Sequence, residues 1–214
     1  MKKLVFIILA VFAFVACEKD PDLSKLDNDY LVFTTYDKKA NFAPNMYYLP
    51  DSVMIIGDKE KPEYWKGEQA APILDAFKTN MTKRGYTLAT DRTDADFGLQ
   101  VSYIASTYYF AGYNNYDNPY WWWGYPGYWG SGYWGNWSNW YYPYPVVYSY
   151  STGAILTEMV NLNAEQGNDK NLPIVWNAYL GGLLTGSNKL DMTLTVRGIN
   201  QAFVQSPYIK VAAN

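Results

Sequence analysis

The chain has 214 residues, 17 Lys+Arg against 20 Asp+Glu, no His and a single Cys, and 19% of it is Phe, Trp or Tyr. Without His and with one Cys it cannot build a histidine triad, a Cys/His zinc site or an internal disulfide, so acid–base chemistry is left to carboxylate, Lys and Tyr. The length suits one domain with a real core.

The lone Cys has a place at the start. Lys2 and Lys3 precede an unbroken apolar run of 13 residues from Leu4 to Ala16, and Phe14-Val15-Ala16-Cys17 closes it. A basic start, an apolar stretch shorter than the roughly 20 residues of a membrane-spanning helix and a small residue before Cys17 read as a secretory signal. Its end resembles the lipobox of bacterial lipoproteins, with Phe14 where Leu is usual. The resemblance implies cleavage after residue 16 and acylation of Cys17, a multi-chain membrane anchor stable where a single chain is marginal. Residues 17–29, with Glu18-Lys19-Asp20-Pro21-Asp22 at their head, read as an acylated tether leading to one domain over 30–214. Loss of residues 1–16 removes two lysines and leaves 15 bases against 20 acids, a charge of −5. That balance argues against nucleic acid as a partner. The expected location is the outer membrane, on its periplasmic or cell-surface face.

Tyr30 to Tyr36 is rich in β-branched and aromatic residues and predicts a strand turning at Asp37-Lys38-Lys39. Asn45 to Ile56 predicts a second extended segment, broken at Pro50-Asp51-Ser52. Residues 70–84 predict a helix. Pro72 suits its first turn, Ile73, Phe77 and Met81 recur on one stripe, Lys83 and Arg84 load the last turn, and Gly85 supplies a left-handed cap. From Asp96 to Phe110 the residues alternate. Phe97, Leu99, Val101 and Tyr103 share one face and Gly98, Gln100 and Ser102 the other, as in a half-buried strand. Residues 155–162 and 174–180, joined by a polar loop, predict an antiparallel hairpin. Asn188 to Gln205 follows an approximately helical period, with Gly198 inside it and Pro207 as a stop. The order predicts an α+β domain, an antiparallel sheet with two helices packed on one face and a long aromatic and Gly-rich insertion between central strands.

Several short motifs in this order resemble one family. They are Tyr47-Tyr48-Leu49-Pro50, Lys83-Arg84-Gly85-Tyr86, Asp94-Ala95-Asp96-Phe97, Gly153 before a strand, Ile174-Val175-Trp176, and Phe203 to Pro207. Together they are similar to the bacterial lipoprotein family called domain of unknown function 4136, over roughly residues 30–209. The resemblance implies an anchored α+β domain and carries no catalytic or binding residues.

Between Gly112 and Pro145 seven of the nine tryptophans fall within 20 positions: Trp121, Trp122, Trp123, Trp129, Trp134, Trp137 and Trp140. Tyr125, Tyr128 and Tyr133 lie among them. Gly and Pro at this density forbid a long helix or a central strand. No Lys or Arg occurs from Thr93 to Asp169, and Asp117 is the sole acid between Phe97 and Ile155. Four uses compete for these rings. They can pack on the protein's own sheet, stack on sugar rings, dock an envelope protein, or sit at the membrane interface. The basic groove that single-stranded nucleic acid needs is missing.

Other candidates are weaker. Asp91, Asp94 and Asp96 lack the spacing of an EF-hand loop. Glu158 with Glu165 or Asp96 could in principle form the carboxylate pair of a glycan hydrolase. Gly181-Gly182 and Gly186 lack the Gly-Lys-Ser/Thr of a phosphate loop. The sequence therefore predicts a membrane-anchored, non-enzymatic envelope lipoprotein with no cofactor or metal. A carboxylate-based hydrolase, or a dedicated carbohydrate-binding lipoprotein, is the rival.

Overall fold

A computed structural model describes residues 31–57, 63–105, 131–144 and 152–211. The proposed signal and tether, Cys17 included, lie outside them, as do 106–130.

Among the described residues, nine strands and two helices of thirteen residues each form an α+β fold around one open sheet. The strands are β1 (Leu31–Tyr36), β2 (Met46–Tyr48), β3 (Ser52–Ile56), β4 (Glu63–Lys66), β5 (Thr87–Leu88), β6 (Phe97–Ile104), β7 (Asn139–Tyr141), β8 (Ala154–Asn161) and β9 (Asn171–Gly181); the helices are α1 (Ala71–Lys83) and α2 (Met192–Val204). The centre runs β1-β9-β8-β6, every neighbour antiparallel. The expected hairpin is there as β8 and β9, in a register that takes Ile155 to Leu180 and Glu158 to Asn177.

The sheet as a whole is mixed rather than antiparallel throughout. β2 and β3 lie end to end along β6 and pair with it in parallel. The break between them falls at Leu49-Pro50-Asp51, where Pro removes a ladder donor. α1 lies in sequence between β3 and β6, and a parallel pair needs such a crossover.

α1 begins with Pro72 in its first turn and is followed, after its cap Arg84, by Gly85, whose φ of 88° is the left-handed conformation that Gly adopts freely. Its buried stripe of Ile73, Leu74, Phe77 and Met81 meets Ile199, Ala202 and Phe203 of α2. Asn80 donates to Asn200 across the helix pair (2.7 Å), and the Arg84 guanidinium sits 4.9 Å from the Phe203 ring centre. Both helices cover the sheet face that carries Phe97, Leu99, Val101, Ile155, Met159 and Trp176. α2 starts at Met192 rather than near 188, because Leu184 bridges Leu190 and Asn188 has a φ of 57°. Its cap is Asp191, which accepts from the Leu194 N–H at 3.0 Å.

The opposite face is also covered. β6 was expected to be half-buried, yet Gln100 and Ser102 are each only 1% exposed, and Glu158 of β8 is 0% exposed. A second apolar cluster of Met54, Ile56, Ile104, Leu156, Val160 and Ile174 is closed by Trp134, Trp137 and Trp140 from the aromatic segment. An alternating pattern shows that two faces differ in polarity, not that the polar one meets water.

Candidate functional site

Residues 131–144 hold the part of the aromatic segment that the structure describes. They form a 3-10 turn over Ser131–Trp134 and then β7, which pairs in parallel with the start of β9 through Trp140 and Leu172. Trp134, Trp137 and Trp140 are buried, and Tyr133 is half-buried. Trp121, Trp122, Trp123, Tyr125, Tyr128 and Trp129 lie outside the described residues.

Trp134 is seated by an absence of side chain. It lies over Gly98, where a Cβ would meet its Cζ3 at 2.4 Å, so only hydrogen leaves room for the ring. Tyr133 and Tyr48 meet it edge-on, at centroid distances of 5.0 and 6.2 Å. The Arg92 guanidinium stands 4.6 Å from the Tyr133 ring centre, a cation–π contact that ties the turn to the loop before β6. Burial, with a hydrogen bond to Tyr48, pushes the Tyr133 hydroxyl up to about 12.

Beneath the rings runs a polar ladder. Gln100, Glu158 and Asn177 stand opposite one another on β6, β8 and β9, all within 1% of full burial. The Gln100 amide donates to Glu158 Oε2 at 2.6 Å, and Trp134 Nε1 donates to Gln100 Oε1 at 3.3 Å. The Tyr142 hydroxyl donates to Glu158 Oε1, and the Tyr144 hydroxyl to Asn177 Oδ1 at 3.3 Å. Groups that would be costly to bury alone are thereby satisfied by the segment that buries them. Sequence reasoning did not select Gln100, Asn177, Tyr142 or Tyr144. The available signal was Gln100 and Glu158 on strands that flank an uncharged insertion rich in tyrosine hydroxyls and indole N–H groups.

The carboxylates named as a hydrolytic pair fall apart spatially. Glu158 faces Gln100, four residues along the chain from Asp96, which immediately precedes β6, a separation of about 13 Å at roughly 3.3 Å per residue. Glycosidase carboxylates stand about 5–10 Å apart. Asp96 instead accepts from the Met46 N–H (2.8 Å) and the Asn163 amide (2.6 Å), and Glu165 is exposed in the β8–β9 loop. Asp91 caps a short turn, its carboxyl held below the usual range chiefly by the Thr93 backbone N–H, with the Thr93 hydroxyl next. Among the described residues no group of three or more His, Cys, Asp or Glu side chains is placed to hold a metal ion.

A family model described as Domain of unknown function (DUF4136) matches residues 32–208. A crystal structure at 1.60 Å of a DUF4136 family protein from Bacteroides thetaiotaomicron is similar, at 55% identity and a TM-score of 0.78 over 86% of this chain and 99% of that one. No curated protein matches.

Proposed function

The chain belongs to the DUF4136 family, and from that premise we propose that it is a non-enzymatic cell-envelope lipoprotein of the outer membrane, held there by lipid on Cys17. The aromatic segment serves the domain by packing, and residues 121–129 serve contact with an envelope protein or a glycan. Residues 1–16 are the signal peptide, 17–29 the tether and 30–214 the domain.

The observation that carries the packing role is the burial of Trp134, Trp137 and Trp140 against the second cluster, over a ladder that Trp134 helps to satisfy. Rings consumed in this way are not free to stack on a ligand, so contact falls to Trp121, Trp122, Trp123, Tyr125, Tyr128 and Trp129. Supporting the anchor are the basic start, the short apolar run and the small residue before Cys17.

Metabolic labelling with an alkynyl palmitate tests the anchor: the wild-type chain takes up label and Cys17→Ala does not, whereas label on the variant contradicts it. The contact role is tested by titrating intrinsic fluorescence with oligosaccharides and peptidoglycan fragments. A response lost in Trp121→Ala/Trp122→Ala/Trp123→Ala supports glycan contact, and flat traces with the wild type remove it.

A further inference from the structure

On the helix-covered side of the sheet, the face opposite the aromatic cover, an open cavity of about 340 Å³ lies between the loop after β1 and the segment after α2. Its volume is within the span of about 300–1,000 Å³ common for small-molecule sites. Three rings line it. Tyr36 stacks on Tyr208 at a centroid distance of 3.6 Å and 21° between planes, and Phe42 leans on Tyr208 at 5.6 Å. The polar groups around these rings are Lys38, Lys210 and Asn41.

The walls are built before any ligand arrives. Ala40 N–H donates to the Asp37 carbonyl, Ala43 N–H to Asn41 Oδ1, and the Tyr86 hydroxyl to the Phe42 carbonyl at 2.6 Å. On the other side the Tyr208 hydroxyl donates to Ser206 Oγ, which also accepts from the buried Trp176 indole. Such preorganisation lowers the ordering cost of binding.

The charges are free. Among the described residues neither the Lys38 nor the Lys210 ammonium has an ion-pair partner, and the Asn41 amide nitrogen has no acceptor. The nearest acid in sequence, Asp37, turns its carboxylate back to the Lys39 N–H at 2.9 Å. Two unpaired ammoniums beside an aromatic wall are out of keeping with a chain whose net charge is −3.

We propose that this cavity binds a ring compound bearing a carboxylate, its ring against the partly exposed Tyr36 and Tyr208 and its carboxylate held by Lys38 and Lys210. Asn41 donates to the same carboxylate or to a ring hydroxyl. An acidic sugar and an aromatic acid share this chemistry. The site is separate from the aromatic segment and stands whether or not that segment binds anything.

The test is calorimetric titration of the detergent-solubilised full chain with glucuronate, benzoate, glucose and acetate. Glucuronate or benzoate binds saturably and at least about tenfold more tightly than glucose or acetate, and Lys38→Gln and Lys210→Gln each weaken that binding about five- to tenfold. Both lysines are exposed, so neither change threatens the fold, and Lys189→Gln at a distant exposed lysine leaves binding unchanged. Response to glucuronate alone identifies a sugar acid as the source, and response to benzoate alone an aromatic acid. No binding of either, acetate binding as tightly as both, or binding untouched in the two lysine variants overturns the proposal.

Discussion

Gly98 and Trp134 show at the scale of one residue how the second face is closed. A methyl group at position 98 would lie inside the indole, so Gly98→Ala forces the ring outward and loosens its bond to Gln100. Overpacking of this kind costs about 1–3 kcal/mol, read in a denaturant melt, and Trp134→Ala combined with it should cost less than the sum of the two alone. Titration adds a second prediction. Burial lifts the Tyr47 hydroxyl to about 12 and that of Tyr86 higher still, above their ordinary value near 10. Between those values the folded chain keeps protons that the unfolded chain has lost, so this stability is fully present below pH 10 and is lost as pH rises toward 12. Tyr47→Phe and Tyr86→Phe should each flatten the alkaline fall in melting temperature. They should differ at pH 7, where Tyr86→Phe loses a bond to the Phe42 carbonyl. The Tyr47 hydroxyl is buried with no partner among the described residues, so Tyr47→Phe should be neutral or stabilising.

Among the elements, β6, β8 and β9 are covered on both faces, by α1 and α2 on one side and by residues 131–144 on the other. Their amides should exchange hydrogen most slowly, and those of β5, a two-residue strand with both residues exposed, fastest. Trp134→Ala with Tyr142→Phe removes two of the contacts that fasten the cover to the ladder. Exchange should then accelerate in β6 and β8 while α1 and α2 keep their protection; unchanged β6 and β8 would show that the cover does not support them. Local signals made most of these elements legible: Pro72 and Gly85 bracket α1, and the alternation in 97–103 marks β6. The parallel pairing of β2 and β3 with β6 was not legible, because pairing partners are set by the crossover through α1 and not by any local pattern.

For the whole molecule, the sequence carried the fold class, the two helices on one face and the family, through motifs whose order matters more than any one of them. The burial of Gln100 and Glu158 was hidden, because a polar strand face reads alike whether it meets water or a hydroxyl-rich cover. The burial of Trp134, Trp137 and Trp140 likewise had no local sign, since apolar area alone does not reveal whether a ring lies on a sheet or faces water. The proposed anchor is lipid on Cys17 at the outer membrane. Intact-mass and N-terminal peptide mass spectrometry of the chain recovered from membranes tests it most directly. The expected product is a mature chain that starts at Cys17 and carries a diacylglyceryl group and an N-terminal acyl chain. A chain that retains residues 1–16, or that carries an unmodified Cys17 thiol, would contradict it.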